Sequence, residues 1–221
     1  MWASARFSSD AAMTMPERWR RALALIFGLL VAWPLAVAAA LSEQDLNDIR
    51  QVENYLAKLS TLQAKFVQIG PHGELAEGDL YLRRPGRLRF EYAPPAPQLV
   101  VADGTWLVLY DRELRHFDRL PLFETPLSVL LAEKIDLMEK VEVVRVERAP
   151  GQLQITMVDR KRPREGSLSL VFETPSLALR QWHVRDAQGA VTTISLSDTQ
   201  LGVALRPELF VFREPGKFPS E

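Results

Sequence analysis

The sequence is dominated by short segments in which apolar and polar residues alternate, separated by turns rich in glycine, proline and aspartate. Alternation with a period of two residues indicates β-strands with one buried face. No long βαβ period separates the segments, so the sheet should be antiparallel, and so many twisted strands should curl towards a barrel. The eleven candidate strands are residues 78–84, 87–93, 98–103, 105–111, 113–119, 141–148, 152–159, 167–174, 177–186, 190–198 and 209–215.

Two short helices are predicted beside these strands. In the first, Ser42 is a candidate N-cap, and apolar residues recur at spacings of three and four between Leu46 and Leu59. In the second, Thr125 is the candidate N-cap, Pro126 suits the first helical position, and an amphipathic pattern follows. Such helices could complete an ordinary core or cover an apolar cavity inside the curled sheet, and periodicity alone does not separate these alternatives.

The first forty residues have the pattern of a secretory signal peptide. A basic stretch ending at Arg21 precedes the apolar run 22–37, which Pro34 interrupts and which ends in the small residues AVAAA. The run is shorter than the roughly 20 residues of a membrane span, which favours cleavage near residues 38–40. We therefore predict a signal peptide at 1–40 and one domain at 41–221.

Charge and cysteine content limit the functions that this domain can have. Four of the 27 basic and two of the 28 acidic residues lie in the first forty, so the remainder carries a net charge of about −3. That balance gives no support for nucleic-acid binding, which needs a concentrated basic face. The chain has no cysteine, so it has neither disulfides nor a cysteine for lipid attachment after its leader, and we expect an exported, soluble protein.

No catalytic or metal-binding pattern is recognisable. The three histidines, His72, His116 and His183, are far apart and show no metal-ligand spacing. A set of Ser195, His183 and Asp186 lacks the nucleophile-elbow motif and is more typical of polar residues on a solvated hairpin. The sequence predicts no enzyme, no cofactor and no metal site.

Arg84 is the exception to the alternation within residues 78–92. Leu80, Leu82 and Leu88 fall on the apolar side of the pattern, and by parity Arg84 belongs with them. Two explanations are open at this point. Arg84 could protect a sheet edge or bulge beside Pro85 from aggregation, or it could be a cation held on the apolar side for a functional reason.

Several quoted segments together resemble a known family. GDLYLRRPGRLRFEY at 78–92, LVVADGTWLVLYD at 99–111, TPLSVLLAEK at 125–134 and LFVFREPG at 209–216 occur in the order found in the LolA family of periplasmic lipoprotein carriers. The resemblance covers about residues 46–216. It implies an incomplete antiparallel β-barrel with short helices forming a lid over an apolar cavity, and no covalent chemistry.

The resemblance also implies partners and residue roles. The cargo would be acylated lipoproteins, received from an inner-membrane lipoprotein-releasing ABC transporter and passed to an outer-membrane receptor, with a monomeric carrier in the periplasm. Arg84 would latch the lid through backbone near Leu130 and Leu131. The cavity wall would comprise Leu80, Leu82, Leu88, Phe90, Tyr92 and Leu127. The alternative is a related exported half-barrel that binds lipid or lipoprotein as a sensor without transport.

Overall fold

The computed structural model describes residues 41–214, apart from the side chain of Lys140, and the predicted signal peptide lies outside the described residues. Eleven antiparallel strands form one sheet in the order β6-β5-β4-β3-β2-β1-β11-β10-β9-β8-β7. Strands β6 and β7 do not pair, so the sheet is an unclosed barrel, and the predicted fold class is confirmed. The strands are β1 (Thr61–Ile69), β2 (Leu75–Arg83), β3 (Arg87–Tyr92), β4 (Gln98–Asp103), β5 (Trp106–Asp111), β6 (His116–Pro121), β7 (Val141–Ala149), β8 (Gln152–Asp159), β9 (Gly166–Glu173), β10 (Leu179–Asp186) and β11 (Val191–Leu201).

The strand count agrees with the sequence, but the membership differs at two places. Strand β1 was not predicted, although it lies at the centre of the sheet between β2 and β11. The strand predicted at 209–215 does not form over residues 209–214, the part of it that the structure describes. It contains the end of a 3₁₀ turn, Pro207–Phe210, and then chain without strand pairing. Its alternating Phe210 and Phe212 reflect packing on the outer face of the sheet.

Helix α1 spans Glu43–Lys58 and begins as the sequence predicts. The Ser42 hydroxyl accepts a hydrogen bond from the Asp45 amide, at 3.1 Å, and an Asp45 carboxylate oxygen accepts one from the Ser42 amide, at 2.8 Å. This reciprocal capping box satisfies amide groups that the first turn leaves free. Ile49, Val52 and Leu56 recur at helical spacing and are buried, so α1 packs its apolar face into the core.

The connection between the edge strands β6 and β7, residues 122–140, is the segment that we call the lid. It contains a 3₁₀ turn, Leu122–Glu124, and two helices of four residues, α2 (Leu127–Leu130) and α3 (Leu137–Lys140). The sequence predicted one continuous helix capped by Thr125. A helix does occur at Leu127–Leu130, but its predicted cap and continuation are wrong, because the Thr125 hydroxyl donates to the Leu122 carbonyl, at 2.8 Å, and Asp136 caps a separate α3.

The main hydrophobic core lies on the inner face of the sheet. Alternate residues of the strands, the apolar face of α1 and the lid residues Leu130 and Leu131 belong to one continuous cluster. A smaller cluster on the outer face joins Leu99 and Tyr110 to Phe212 of the C-terminal strand-free segment. Within residues 41–214 no helix is both long and apolar enough to cross a membrane.

Candidate functional site

The candidate site is the mouth of the unclosed barrel, where the lid meets the turn between β2 and β3. A cavity of about 610 Å³ opens there. The lid contributes Leu122, Val129 and Leu131 to its lining, and the opposite wall includes Met157 and Leu168 of β8 and β9. The lid therefore separates an apolar interior from solvent across the gap between the edge strands.

Arg84 follows directly after β2 and sends its guanidinium group towards the lid. Its Nε donates to the Ala132 carbonyl at 2.9 Å, its Nη2 donates to the Glu133 carbonyl at 3.1 Å, and Nη2 also donates to Ala132. On its other side, Nη1 donates to the carbonyl oxygens of Leu56 and Leu59, the second at 3.3 Å. One side chain thus joins the lid to the C-terminal end of α1.

These acceptors explain how a half-buried cation is tolerated there. Burial lowers the pKa of the Arg84 guanidinium from its ordinary value, because a charged group loses hydration inside a protein. The last carbonyl groups of a helix lack their usual partner four residues on, so those near the end of α1 can accept from Arg84, although the Leu56 carbonyl also accepts the Leu59 amide at 3.1 Å. The planar guanidinium presents five donors in a fixed geometry and reaches acceptors on two elements at once, whereas a lysine ammonium has only three donors around one nitrogen.

The acceptors differ from those predicted from the sequence. We expected carbonyl groups around Leu130 and Leu131, whereas the lid acceptors belong to Ala132 and Glu133. The Leu131 carbonyl instead accepts from the amide of Gly86, at 2.9 Å. Nothing in the sequence indicated the contact with α1. Whether these contacts act as a latch during function stays a prediction.

A second link joins the lid to α1, and the sequence did not reveal it. Glu53, on α1, accepts a hydrogen bond from the amide of Leu137 at 2.7 Å, at the start of α3. The lid is therefore tied to α1 at two points, through Glu53 and through Arg84. The sequence signal that could have suggested this contact is the position of Glu53, which lies four residues after Ile49 and three before Leu56 and so falls on the apolar face of α1.

The inner wall of the barrel is aromatic at its centre. The rings of Phe66 and Phe90 meet edge to face, with centroids 4.9 Å apart, and Phe66 meets Tyr92 in the same way at 5.0 Å. Trp182 contacts Phe90 from β10, at 6.1 Å. The Tyr92 hydroxyl donates to Oε1 of Gln68 at 2.7 Å, and burial raises the pKa of Tyr92 to about 12.

The predicted cavity-wall residues lie on this inner face, but none of them lines the open cavity beside the lid. Five of them are buried in the main core, and Leu127 packs against it from the lid. In this closed state their contacts are with other side chains. The exposed fractions of the five are 0% for Leu80, 1% for Leu82, 0% for Leu88, 5% for Phe90 and 8% for Tyr92.

The described residues do not assemble the hydrolytic set considered from the sequence. Nδ1 of His183 shares a hydrogen bond with the Thr193 hydroxyl, at 2.9 Å. The Ser195 hydroxyl accepts a hydrogen bond from Nε2 of the Gln181 side chain, at 3.0 Å. Asp186 accepts backbone amides within its own turn. Among residues 41–214, no group of three or more histidine, aspartate or glutamate side chains is arranged to hold a metal ion.

An unclosed antiparallel barrel with a lid tied down over an apolar interior defines a class of protein that encloses apolar groups. A family model described as "Outer membrane lipoprotein carrier protein LolA" matches residues 57–213. The match covers most of the chain, which therefore belongs to the LolA family.

Individual relatives are similar over nearly the same length. An outer-membrane lipoprotein carrier protein of Halorhodospira halophila is 29% identical over 195 residues, which cover 82% of this chain and 88% of the relative. One of Methylococcus capsulatus is 27% identical over 201 residues, covering 86% and 94%. Among solved structures, an uncharacterized conserved protein of Thermus thermophilus has a TM-score of 0.47 at 11% identity, covering 78% of this chain and 96% of that one.

Proposed function

We propose that this protein is a soluble periplasmic carrier that binds the acyl chains of lipoproteins released from the inner membrane and delivers them to the outer membrane. The observation that carries the proposal is the lidded apolar interior, tied shut through Arg84, in a chain of the LolA family. Residues 1–40 would direct export and then be removed. The carrier would perform no covalent chemistry.

Loading in this scheme requires the lid to move, because the inner face is filled by its own side chains in the closed state. Each methylene of an acyl chain gains about 0.8 kcal/mol on leaving water, so ten methylenes contribute roughly 8 kcal/mol. Hydrogen bonds to a charged group such as Arg84 contribute about 1.5–3 kcal/mol. The lid also buries Leu122, Leu130, Leu131 and Leu137, so its closing energy, apolar and polar together, offsets part of the acyl-chain gain, reduces the net affinity and favours release.

The partners follow from this role. An inner-membrane ABC transporter would supply the lipoprotein, and an outer-membrane receptor, where one exists, would accept it. The carrier would act as a monomer and would need no cofactor. The cavity wall would be formed by the inner-face residues Leu80, Leu82, Leu88, Phe90 and Tyr92, together with Leu127 on the lid.

The test is to isolate the protein from the periplasm of a Gram-negative host and to ask whether a lipoprotein accompanies it. The matched control is the same lipoprotein with its acylated cysteine replaced by serine. We expect recovery of the acylated form alone, followed by its transfer to outer-membrane vesicles. Equal recovery of both forms would contradict acyl-chain binding, and binding without transfer would favour the sensor alternative.

A further inference from the structure

A second pocket lies on the outer face of the sheet, away from the lid. It has a volume of about 340 Å³. Its floor is formed by outward-facing side chains of β2 to β6, including Arg83, Arg87 and Arg119, and its roof by Phe210 and Phe212 of the C-terminal segment. The pocket is on the outer face because Arg83 and Arg87 alternate with the buried inner residues of their strands.

The charges in this pocket are unbalanced. Arg83 of β2 lies directly opposite Arg87 of β3 in the strand register, an arrangement of like charges that destabilises a sheet. Asp103 is the single carboxylate among the residues that line the pocket. Its Oδ1 accepts the backbone amides of Thr105 and Trp106, at 2.8 and 2.9 Å. Asp103 lies directly opposite Arg87 in the register of β3 and β4. Three cations thus share one carboxylate, which already accepts two backbone amides of its own turn.

Two of the three guanidinium groups are held by aromatic rings. Arg83 lies over the ring of Phe210, at 5.0 Å from the centroid, and also donates to the Leu205 carbonyl. Arg119 lies over the ring of Phe117, at 5.2 Å. Stacking occupies the flat face of a guanidinium and leaves its N–H edge free to donate. Among residues 41–214, none of the three arginines forms an ion pair with a carboxylate.

We propose that this outer pocket binds a phosphate-bearing group, either the headgroup of an anionic phospholipid or free phosphate. Guanidinium groups match phosphate oxygens through paired N–H donors, and three of them provide the charge that a phosphate requires. The pocket also has an apolar roof, which suits the carbon atoms that adjoin the phosphate of a lipid headgroup. The site is separate from the lidded cavity, and its existence does not rest on the carrier function.

The test compares two probes on the full mature chain. Isothermal titration measures the binding of inorganic phosphate, and co-sedimentation measures binding to phosphatidylglycerol vesicles against phosphatidylcholine vesicles. The variants are Arg87→Gln and Arg119→Gln, and the control is Arg50→Gln, which removes an exposed arginine of α1. We expect each pocket variant to weaken binding about tenfold or more, because each removes charge-assisted hydrogen bonds, and the control to match the unmodified chain.

The outcomes separate the two sources of the phosphate group. Binding of inorganic phosphate that the variants weaken identifies free phosphate, and a preference for phosphatidylglycerol vesicles without phosphate binding identifies the headgroup. If Arg87→Gln does not fold, as judged by circular dichroism, the exposed Arg119 decides the question through its own variant. Phosphate or phosphatidylglycerol binding that Arg119→Gln leaves unchanged would overturn the proposal, and so would the absence of both phosphate binding and a preference for phosphatidylglycerol vesicles.

Discussion

Tyr92 carries the titratable group of the aromatic cluster inside the barrel, and its burial makes the folded state sensitive to high pH. Burial favours its neutral phenol and raises the pKa of Tyr92 from 10.0 to about 12. A folded-state pKa above the unfolded value gives stability that is fully present below pH 10 and is lost as the pH rises through the folded pKa. We therefore expect the free energy of unfolding to fall between about pH 10 and 12, by about 2–3 kcal/mol.

The measurement is urea unfolding at a series of pH values for the unmodified chain and for Tyr92→Phe. The variant should be slightly less stable at neutral pH, because Gln68 loses its hydrogen-bond donor, and its stability should decline less steeply above pH 10. Tyr110→Phe is the control, since Tyr110 lies in the smaller cluster on the outer face of the sheet. Parallel curves for the unmodified chain and Tyr92→Phe would show that burial of this phenol does not govern the effect.

Arg84 shows how far the sequence could predict a single side chain. Strand parity identified it as a cation on the apolar side, because alternation is a local property. Its contacts could not be predicted to the residue, because they depend on where the lid turns and where α1 ends. The lid acceptors lie at Ala132 and Glu133, after the end of α2, and the others are on α1, which the sequence did not connect to Arg84.

At the scale of elements, strands β2 and β3 differ sharply between their two faces, and substitutions on neighbouring residues should reveal the difference. Leu88 is 0% exposed, whereas Arg89 is on the outer face, paired with Glu91 at 2.9 Å. We expect Leu88→Glu to lower the free energy of unfolding by more than about 3 kcal/mol, because it buries an unpaired charge. Arg89→Glu should lower it by about 1 kcal/mol.

Denaturant unfolding measures both variants, and cargo recovery from the periplasm then compares those that fold. The Leu88 variant should lose cargo far more than the Arg89 variant, since only Leu88 belongs to the proposed cavity wall. Similar losses for the two would mean that the inner face of β3 does not contribute to binding.

The turn between β2 and β3 supports the lid through a glycine. Gly86 has a φ of +75°, and its amide donates to the Leu131 carbonyl. A Cβ atom there would lie 2.7 Å from the Cα atom of Gly104, which is too close. Gly73 has a similar φ of +88° but open space around it. We expect Gly86→Ala to destabilise the protein by more than Gly73→Ala, which should cost only the backbone strain of about 1 kcal/mol.

Thermal unfolding gives the comparison, and hydrogen exchange at the Leu137 amide reports the lid separately. Gly86→Ala should speed that exchange, because displacing the turn weakens the hydrogen bond between the Gly86 amide and the Leu131 carbonyl of the lid. Gly73→Ala should leave the exchange unchanged. Equal unfolding temperatures for the two variants would indicate that the turn adjusts without disturbing Gly104.

The elements that sequence analysis missed lie next to helices or pack through side chains without strand pairing. Alternation located the strands β2 to β11, but β1 was missed although Leu62, Ala64 and Phe66 alternate with polar residues, because only two residues separate it from the end of α1. Alternation at 209–215 predicted a strand where Phe210 and Phe212 instead pack on the outer face. The lid was predicted as one helix because its apolar spacing is helical, whereas its two short helices follow the route between β6 and β7.

At the scale of the whole molecule, the unclosed barrel makes a movable lid possible. A closed barrel would pair β6 with β7 and seal the interior with backbone hydrogen bonds along both strands. Here the lid crosses the gap between these strands. The hydrogen bonds that join it to the rest of the fold include those of Arg84, the Gly86 amide and Glu53, and each of these is made with a backbone group of the lid. Opening the lid therefore means breaking a small number of hydrogen bonds and exposing the buried lid residues Leu122, Leu130, Leu131 and Leu137.

Replacing Arg84 with leucine tests this coupling, because it removes the link between the lid and α1 without leaving a buried cation unpaired. Hydrogen bonds to a charged group contribute about 1.5–3 kcal/mol, so the lid equilibrium should shift towards the open state by roughly tenfold to more than a hundredfold. Faster hydrogen exchange at the Gly86 and Leu137 amides and greater uptake of an apolar fluorophore would report the shift. Arg50→Leu, on the exposed side of α1, is the control.

The functional consequence concerns release more than loading. Cargo should still enter the Arg84→Leu protein, because the apolar interior is intact, but the closing energy that helps to expel acyl chains is reduced. The variant should accumulate in the periplasm with lipoprotein bound and should transfer it poorly to outer-membrane vesicles. Arg84→Lys should recover transfer only in part, since an ammonium group cannot donate to the lid and to α1 in the same geometry. Normal transfer by the leucine variant would contradict the latch, and the contacts of Arg84 would then be a purely structural link, because β2 lies between β1 and β3 and offers no sheet edge to protect.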